Sequence, residues 1–189
     1  GQGRWFGPTR ADPTRWAALV VADQPGGLDR SGVAGSWQRL AVSSCHLALA
    51  PISSRGSWAG HEPFRTGWAP AADWPDPTVL ALTRARLRLR RAVRFWRAIA
   101  PVGAAATAAP GLLATFGIGE APIGWQGTVS VWRSRQNLVE FAYRHPEHRS
   151  AIERTPAQGW YAEELFARFA VLDVTGDRSL IGWAEEGTA

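Results

Sequence analysis

Between Val79 and Leu89 the chain reads VLALTRARLRL, an alternation with a period of two, which is the period of a strand. Val79, Ala81, Thr83, Ala85 and Leu87 fall on one face, and Arg84, Arg86 and Arg88 on the other. The residues after this strand narrow the fold. Arg91 to Ala109 carries helical spacing at Val93, Trp96, Ile99 and Ala100, is interrupted at Pro101 and is closed by Pro110-Gly111. Leu112 to Glu120 and Trp125 to Arg133 read as two strands joined by a turn around Ala121-Pro122. Ser134 can cap a helix running to about Arg144, and Pro146 suits the first position of a further helical segment to about Thr155. Leu165 to Val174 is a last strand. The order from Val79 is therefore β-α-β-β-α-β, the ferredoxin-like unit of an α+β protein.

The preceding residues offer less. Residues 1–15, rich in Gly, Pro and Arg, read as a loop. Trp16 to Ala22 (WAALVVA) predicts a buried strand, residues 23–36 a Gly-rich polar connection, and Leu40 to Pro51 a second strand. Residues 53–78 have weak periodicity and predict an irregular, aromatic-rich connection. The expected division is a partial unit over 1–78, a complete unit over 79–176 and a tail over 177–189. A half-sheet built from the first part alone would show an open edge. The expectation is that a leading strand-helix-strand is missing from the chain.

Composition excludes several classes. In 189 residues there is one Cys, so neither an intrachain disulfide nor a Cys-rich metal site is available. Cys45 lies in an apolar stretch and reads as buried filler, and a reducing, cytoplasmic setting fits. No apolar run approaches the roughly 18 residues of a membrane span, and no secretory signal is visible. The net charge of +5 comes entirely from Arg against Asp and Glu, with no Lys. Without a nucleic-acid-binding motif this basicity does not predict nucleic acid as a partner. A phosphate loop ending in Gly-Lys-Ser is impossible without Lys, and no nucleophile elbow or His-Glu-x-x-His helix is present. Gly117, Gly119 and Gly124 sit before a strand rather than a helix, so they mark a bulge or hairpin, not a dinucleotide fingerprint.

A family resemblance begins at Trp58 and its neighbours. The carrying residues are Gly56-Ser57-Trp58, Glu62-Pro63-Phe64, Ala81-Leu82-Thr83-Arg84-Ala85 and Arg94-Phe95-Trp96. They continue with Phe116 to Glu120, with Gln126, Thr128, Ser130 and Trp132, with Pro146-Glu147-His148, and with Trp160 to Phe169. Together they resemble the spheroidene monooxygenase family, the acyclic carotenoid 2-ketolases; residues 1–50 resemble it only loosely. The resemblance implies a ferredoxin-like fold of the dimeric α/β-barrel type, haem b with its iron as cofactor, and molecular oxygen as co-substrate. It also implies a small apolar or natural-product substrate, an external electron donor and a possible homo-oligomer. Related folds allow two other readings: a haem-dependent dehydratase or nitrogen-substrate enzyme, and a haem- or ligand-binding module without catalysis.

Haem iron needs an axial ligand on one face and an open position on the other. Met is absent, and four His, two Tyr and one Cys are the candidates. His148 is the first choice, in the first turn after Pro146 and within the family's Pro-x-His pattern; His145 is the alternative. His46, in an apolar strand, reads as a core group, and His61 as a loop residue. Gln126, Thr128, Ser130 and Trp132 share one strand face, and with Thr83 between Ala81 and Ala85 they offer polar groups and room for a flat ring. Gln126, Thr128 and Thr83 are the expected catalytic polar groups. The resemblance assigns Arg84 to the haem carboxylates, although the arginines of this region also read as solvated. Phe95, Trp96, Tyr143 and Trp160 are the expected walls of the cofactor site, with Tyr161 beside them, although Phe95 and Trp96 also read as core packing. Glu163-Glu164 reads as structural.

Overall fold

A computed structural model describes residues 12–22, 32–64, 76–95, 106–119, 125–144 and 159–183. Helix α1 (Gly32–Leu40) leads into strand β1 (Cys45–Gly56). Strand β2 (Val79–Leu87) is followed by a 3-10 turn at Leu89–Arg91 and helical residues 92–95. Then come β3 (Leu112–Gly119), β4 (Trp125–Trp132), helix α2 (Arg135–Arg144), β5 (Tyr161–Gly176) and a 3-10 turn at Arg178–Ile181. The sheet order is β1-β5-β2-β4-β3, and every pairing is antiparallel. From β2 onward this is the order of a ferredoxin-like unit, with β2 paired to both β4 and β5. β1 adds itself to the free edge of β5.

Helix α2 and the helical residues 92–95 lie on one side of this sheet. There Val79 and Trp132 pack with Leu138 and Phe141 of α2, and Ile52, Ala106, Ala109 and Leu112 close around them. Ser134 starts α2 as expected: its hydroxyl accepts from the Asn137 backbone N–H at 3.2 Å, satisfying one of the orphan donors of the first turn. At the other end of β2, Leu87, Ala92, Phe95 and Trp160 form a second cluster. The opposite face of the sheet carries the larger core, with Leu80, Leu82, Val129, Val131, Leu165, Ala167 and Phe169 all buried. Phe64 packs edge-on against Phe169 at 4.9 Å, and Ile181 and Trp183 of the last turn lie over the same face. Burying each such side chain contributes about 1.5–3 kcal/mol.

Several expectations for the first part are overturned. Residues 15–22 form no strand, and Trp16, Leu19, Val20 and Val21 are exposed. An apolar, β-branched run becomes a strand only where a neighbour completes its ladder, and none of the described strands pairs with it. Residues 32–40 are helical despite two glycines; Trp37 packs edge-on with Trp16, and Arg39 lies in the last turn, where a cation suits the helix dipole. The strand placed at Leu40 starts instead at Cys45 and runs on through Gly56, five residues past Pro51. The irregular connection therefore begins later, at a tight turn in which Trp58 and His61 bridge, with Ala59 and Gly60 at positive φ. β5 also exceeds its expected span, starting at Tyr161 and ending at Gly176. The segments holding Trp96, the end of the first helix and the Pro146 helix lie outside the described residues.

Candidate active site

Strand register places the expected polar groups side by side on the helix side of the sheet. Thr83 of β2 lies opposite Thr128 of β4 and, on its other flank, Phe166 of β5. Ala85 lies between Gln126 and Glu164, and Ala81 between Ser130 and Arg168. Across the outer strands the rows continue to Gly117 beside Thr128 and to Arg55 beside Phe166. These rows form a floor between the α2 cluster and the Phe95 cluster. Thr83, Thr128, Gln126, Ser130, Phe166 and Arg168 are all half-buried. The hydroxyls of Thr83 and Thr128, about 5 Å apart at their Cβ atoms as for any directly paired residues, make no hydrogen bond to another described residue. Such groups carry a desolvation cost unless water or a ligand meets them. Ala81, Ala85 and Gly117 keep the side chains on this face small, and Ala85 is itself buried, at 4% exposed.

The residues expected to surround the floor are divided by the structure. Phe95 and Trp160 are buried at its end, their rings edge-to-face at 5.6 Å, and Phe95 meets Tyr161 in the same way at 5.5 Å. Burial, then the nearby Glu164 charge, pushes the Tyr161 hydroxyl far above its ordinary range, so it stays protonated. Tyr143, on α2, is 58% exposed and turns away from the core. Trp96, His148 and His145 lie outside the described residues. His46, second in β1, lies opposite Thr175, with its Nε2 2.9 Å from the Ser44 hydroxyl, and His61 sits in the tight turn; neither lies on the floor.

Arg84 occupies the opposite face from Thr83, so the two do not share one site. It is not solvated either, being 1% exposed. Its guanidinium lies over the Trp58 ring at 4.3 Å and the Trp125 ring at 4.7 Å, and its Nη1 donates to Glu163 Oε2 at 3.3 Å. Glu163 Oε1 accepts from the Ser57 hydroxyl at 3.0 Å and the Gly60 backbone N–H at 2.8 Å. The Gly60 N–H, the Ser57 hydroxyl and Arg84 together hold this carboxyl below its ordinary range, against the opposing effect of burial. Arg86 and Arg88 are exposed, as the solvated reading of the strand expects. Sequence reasoning missed this cluster. The signal was present: Ser57, Trp58, Arg84 and Glu163 all lie in the stretches that carry the family resemblance.

The fold and the floor define a ferredoxin-like α+β protein whose helix side presents a half-buried polar surface between two apolar clusters. No protein-family profile matches the chain. It is 35% identical over 140 residues to spheroidene monooxygenase of Rhodobacter capsulatus, covering 74% of this chain and 58% of that protein. It is 34% identical over 141 residues to the enzyme of that name from Cereibacter sphaeroides, covering 74% and 43%. With the Rubrivivax gelatinosus enzyme of that name the identity is 33% over 171 residues, covering 88% and 64%. By sequence the chain is similar to these spheroidene monooxygenases over most of its own length, and it spans between 43% and 64% of theirs. Among solved structures, a mutant of SnoaB, a cofactor-independent oxygenase from Streptomyces nogalater, aligns with a TM-score of 0.40 at 14% identity, covering 54% of this chain and 94% of that one. An anthrone oxidase-like protein aligns with a TM-score of 0.38 at 14% identity, covering 80% and 65%.

Proposed function

We propose that the chain is a haem-dependent monooxygenase acting on an elongated apolar substrate, with the reaction on the helix-side floor. The observation that carries this reading is the pair of facing hydroxyls, Thr83 and Thr128, half-buried and without a partner among the described residues, on a floor that Ala81, Ala85 and Gly117 share with Gln126, Ser130, Phe166 and Arg168. The sequence relatives supply the reaction class: three proteins named spheroidene monooxygenase at 33–35% identity. Haem b, with iron held by His148, is the cofactor of this proposal. When bound it supplies the activation of molecular oxygen, with electrons from an external donor.

This chain's own residues do the rest. Thr83 and Thr128 donate hydrogen bonds to a polar atom held above the floor, and Gln126 offers an amide one row along. Phe166 and the Phe95–Trp160 cluster bound the space with apolar surface, which excludes water and accepts an apolar substrate. Tyr161, kept protonated by burial, adds no charge to that wall. Among the described residues no helix is long and apolar enough to cross a membrane.

An absorption titration with haemin tests the proposal. The wild-type protein should develop a Soret band, and His148→Ala should lose or shift it. A wild-type protein that shows no Soret band after haemin addition refutes the haem reading, and consumption of the substrate without oxygen uptake refutes the monooxygenase reading.

A further inference from the structure

The floor has one charged margin that the proposed reaction leaves unused. Arg168 of β5 is half-buried beside Ala81, and Ser53 of β1 lies opposite it. One row along, Arg55 of β1 lies opposite Phe166, its guanidinium carbon 5.0 Å from the ring centroid. Both arginines therefore stand on the same face as Thr83 and Thr128, diagonal to one another across β1 and β5, where Cα atoms lie about 7–8 Å apart.

Neither guanidinium forms an ion pair with a described residue. Glu164 is on the same face, about 13 Å along β5 from Arg168; it is diagonal to Arg55, two residues from Phe166, but is not within ion-pair distance of it. Glu163 is on the opposite face and is taken by Arg84. Glu62 lines the recess that opens beside Arg55, together with Phe64 and residues 52–56 of β1. Two neighbouring like charges repel, and partial burial raises the cost of leaving Arg168 unmatched. An anion lying against both removes that cost.

We propose that Arg55 and Arg168 form a clamp for the two carboxylates of a flat ring seated on the helix-side floor. The inference rests on the haem reading, and it gives to these two residues the role that the family resemblance gave to Arg84. Ala81 and Ala85 let the ring lie down, Thr83 and Thr128 stand under it, and the guanidiniums take its anionic edge at the β1 margin. The fork of donors on each guanidinium matches a carboxylate in a way a point charge does not.

Haemin and its dimethyl ester, in which both carboxylates are neutralised, separate the clamp from the ring. Affinity is read from quenching of tryptophan fluorescence and from the Soret titration, with no turnover involved. Wild-type protein should bind haemin roughly tenfold or more tighter than the ester, a difference typical of a charge-assisted pair. Arg55→Ala and Arg168→Ala should each weaken haemin by about tenfold and leave ester binding unchanged, with Arg168→Lys intermediate. Equal affinities for haemin and ester, or haemin binding in both alanine variants equal to wild type, overturn the clamp and leave the haem reading standing. Failure of the wild type to bind either compound overturns both. Should Arg168→Ala not fold, Arg55→Ala and the ester comparison decide.

Discussion

Replacing Glu163 by Gln keeps the shape of the side chain and removes the negative charge that faces the buried Arg84 guanidinium. The side chains of the pair are 2% and 10% exposed, and the closest approach is 3.3 Å. At an effective dielectric of about 20, two unit charges at that separation attract by about 5 kcal/mol. Not all of this is lost. The Trp58 and Trp125 rings still flank the guanidinium, each worth about 0.5–2 kcal/mol, and the Gln amide oxygen still accepts from Ser57 and Gly60. The expected destabilisation is therefore about 3 kcal/mol, the low end for a broken buried pair. Against a total stability on the order of 5–15 kcal/mol this is a large shift. Urea unfolding followed by tryptophan fluorescence at neutral pH measures it. Arg84→Met combined with Glu163→Gln should recover more than half of the loss, because no uncompensated charge remains. A Glu163→Gln protein within about 1 kcal/mol of wild type, or a double variant as unstable as the two singles summed, would refute the reasoning.

The same carboxyl makes stability depend on pH in a defined direction. Its folded pKa lies below its unfolded value of 4.5. The folded state thus binds the proton more weakly, and the contribution is fully present above pH 4.5. It is lost as pH falls through the lower folded pKa, and Glu163→Gln should flatten that part of the acid limb of a urea-midpoint profile. Two further substitutions probe local geometry and chemistry. Gly56 ends β1 at a φ of +95°, and an added Cβ would overlap the Glu164 carbonyl, which is backbone and cannot yield. Gly56→Ala should cost at least about 2 kcal/mol and loosen the turn that carries Ser57 and Trp58, read as a lower thermal midpoint. Thr83→Val exchanges the floor hydroxyl for a methyl. In the ligand-free protein its stability should change by less than about 1 kcal/mol, since the hydroxyl has no partner among the described residues. The Soret position and the oxygenation rate should both change, and unchanged values for both would remove Thr83 from the site.

The strands from Val79 onward were legible because each carries a two-residue period interrupted by turn residues. Ser134 marked the start of α2 through a capping geometry that the structure repeats. Trp16 to Ala22 misled because β-propensity records fitness for a half-buried pleated surface, and nothing in a single segment says whether a neighbour supplies it. Residues 32–40 misled in the opposite direction, since glycines outweighed a helix that leans on the Trp16–Trp37 contact. The floor was half legible. Alternation put Thr83, Thr128 and Gln126 on common faces, but only register joined those faces and brought Phe166, Arg168 and Arg55 to them. Arg84 shows the limit most clearly. Its placement opposite Thr83 followed from the period, while its burial depended on Glu163 lying 79 residues away and on two indoles. Charged residues are rarely buried unless paired, so a sequence lacking the pairing reads them as solvated.

Thr83 and Arg84 are adjacent in the chain, yet the pleat sends them to faces with opposite demands. On the face of Arg84 the guanidinium and the Glu163 carboxylate have found partners, and aliphatic and aromatic side chains fill the remainder. A ligand entering there would have to break a buried ion pair and displace a packed core. On the face of Thr83, Ala81, Ala85, Thr128 and Gly117 are small beside the larger Phe166. There the Thr83 and Thr128 hydroxyls lack a partner, and Arg168 a counter-ion, among the described residues. Binding a ligand there removes costs that the protein alone carries, whereas binding on the other face would create them. This difference in free energy favours chemistry on the helix side of the sheet. It also separates the effects of neighbouring mutations: changes at Arg84 should register in stability, and changes at Thr83 in binding and turnover.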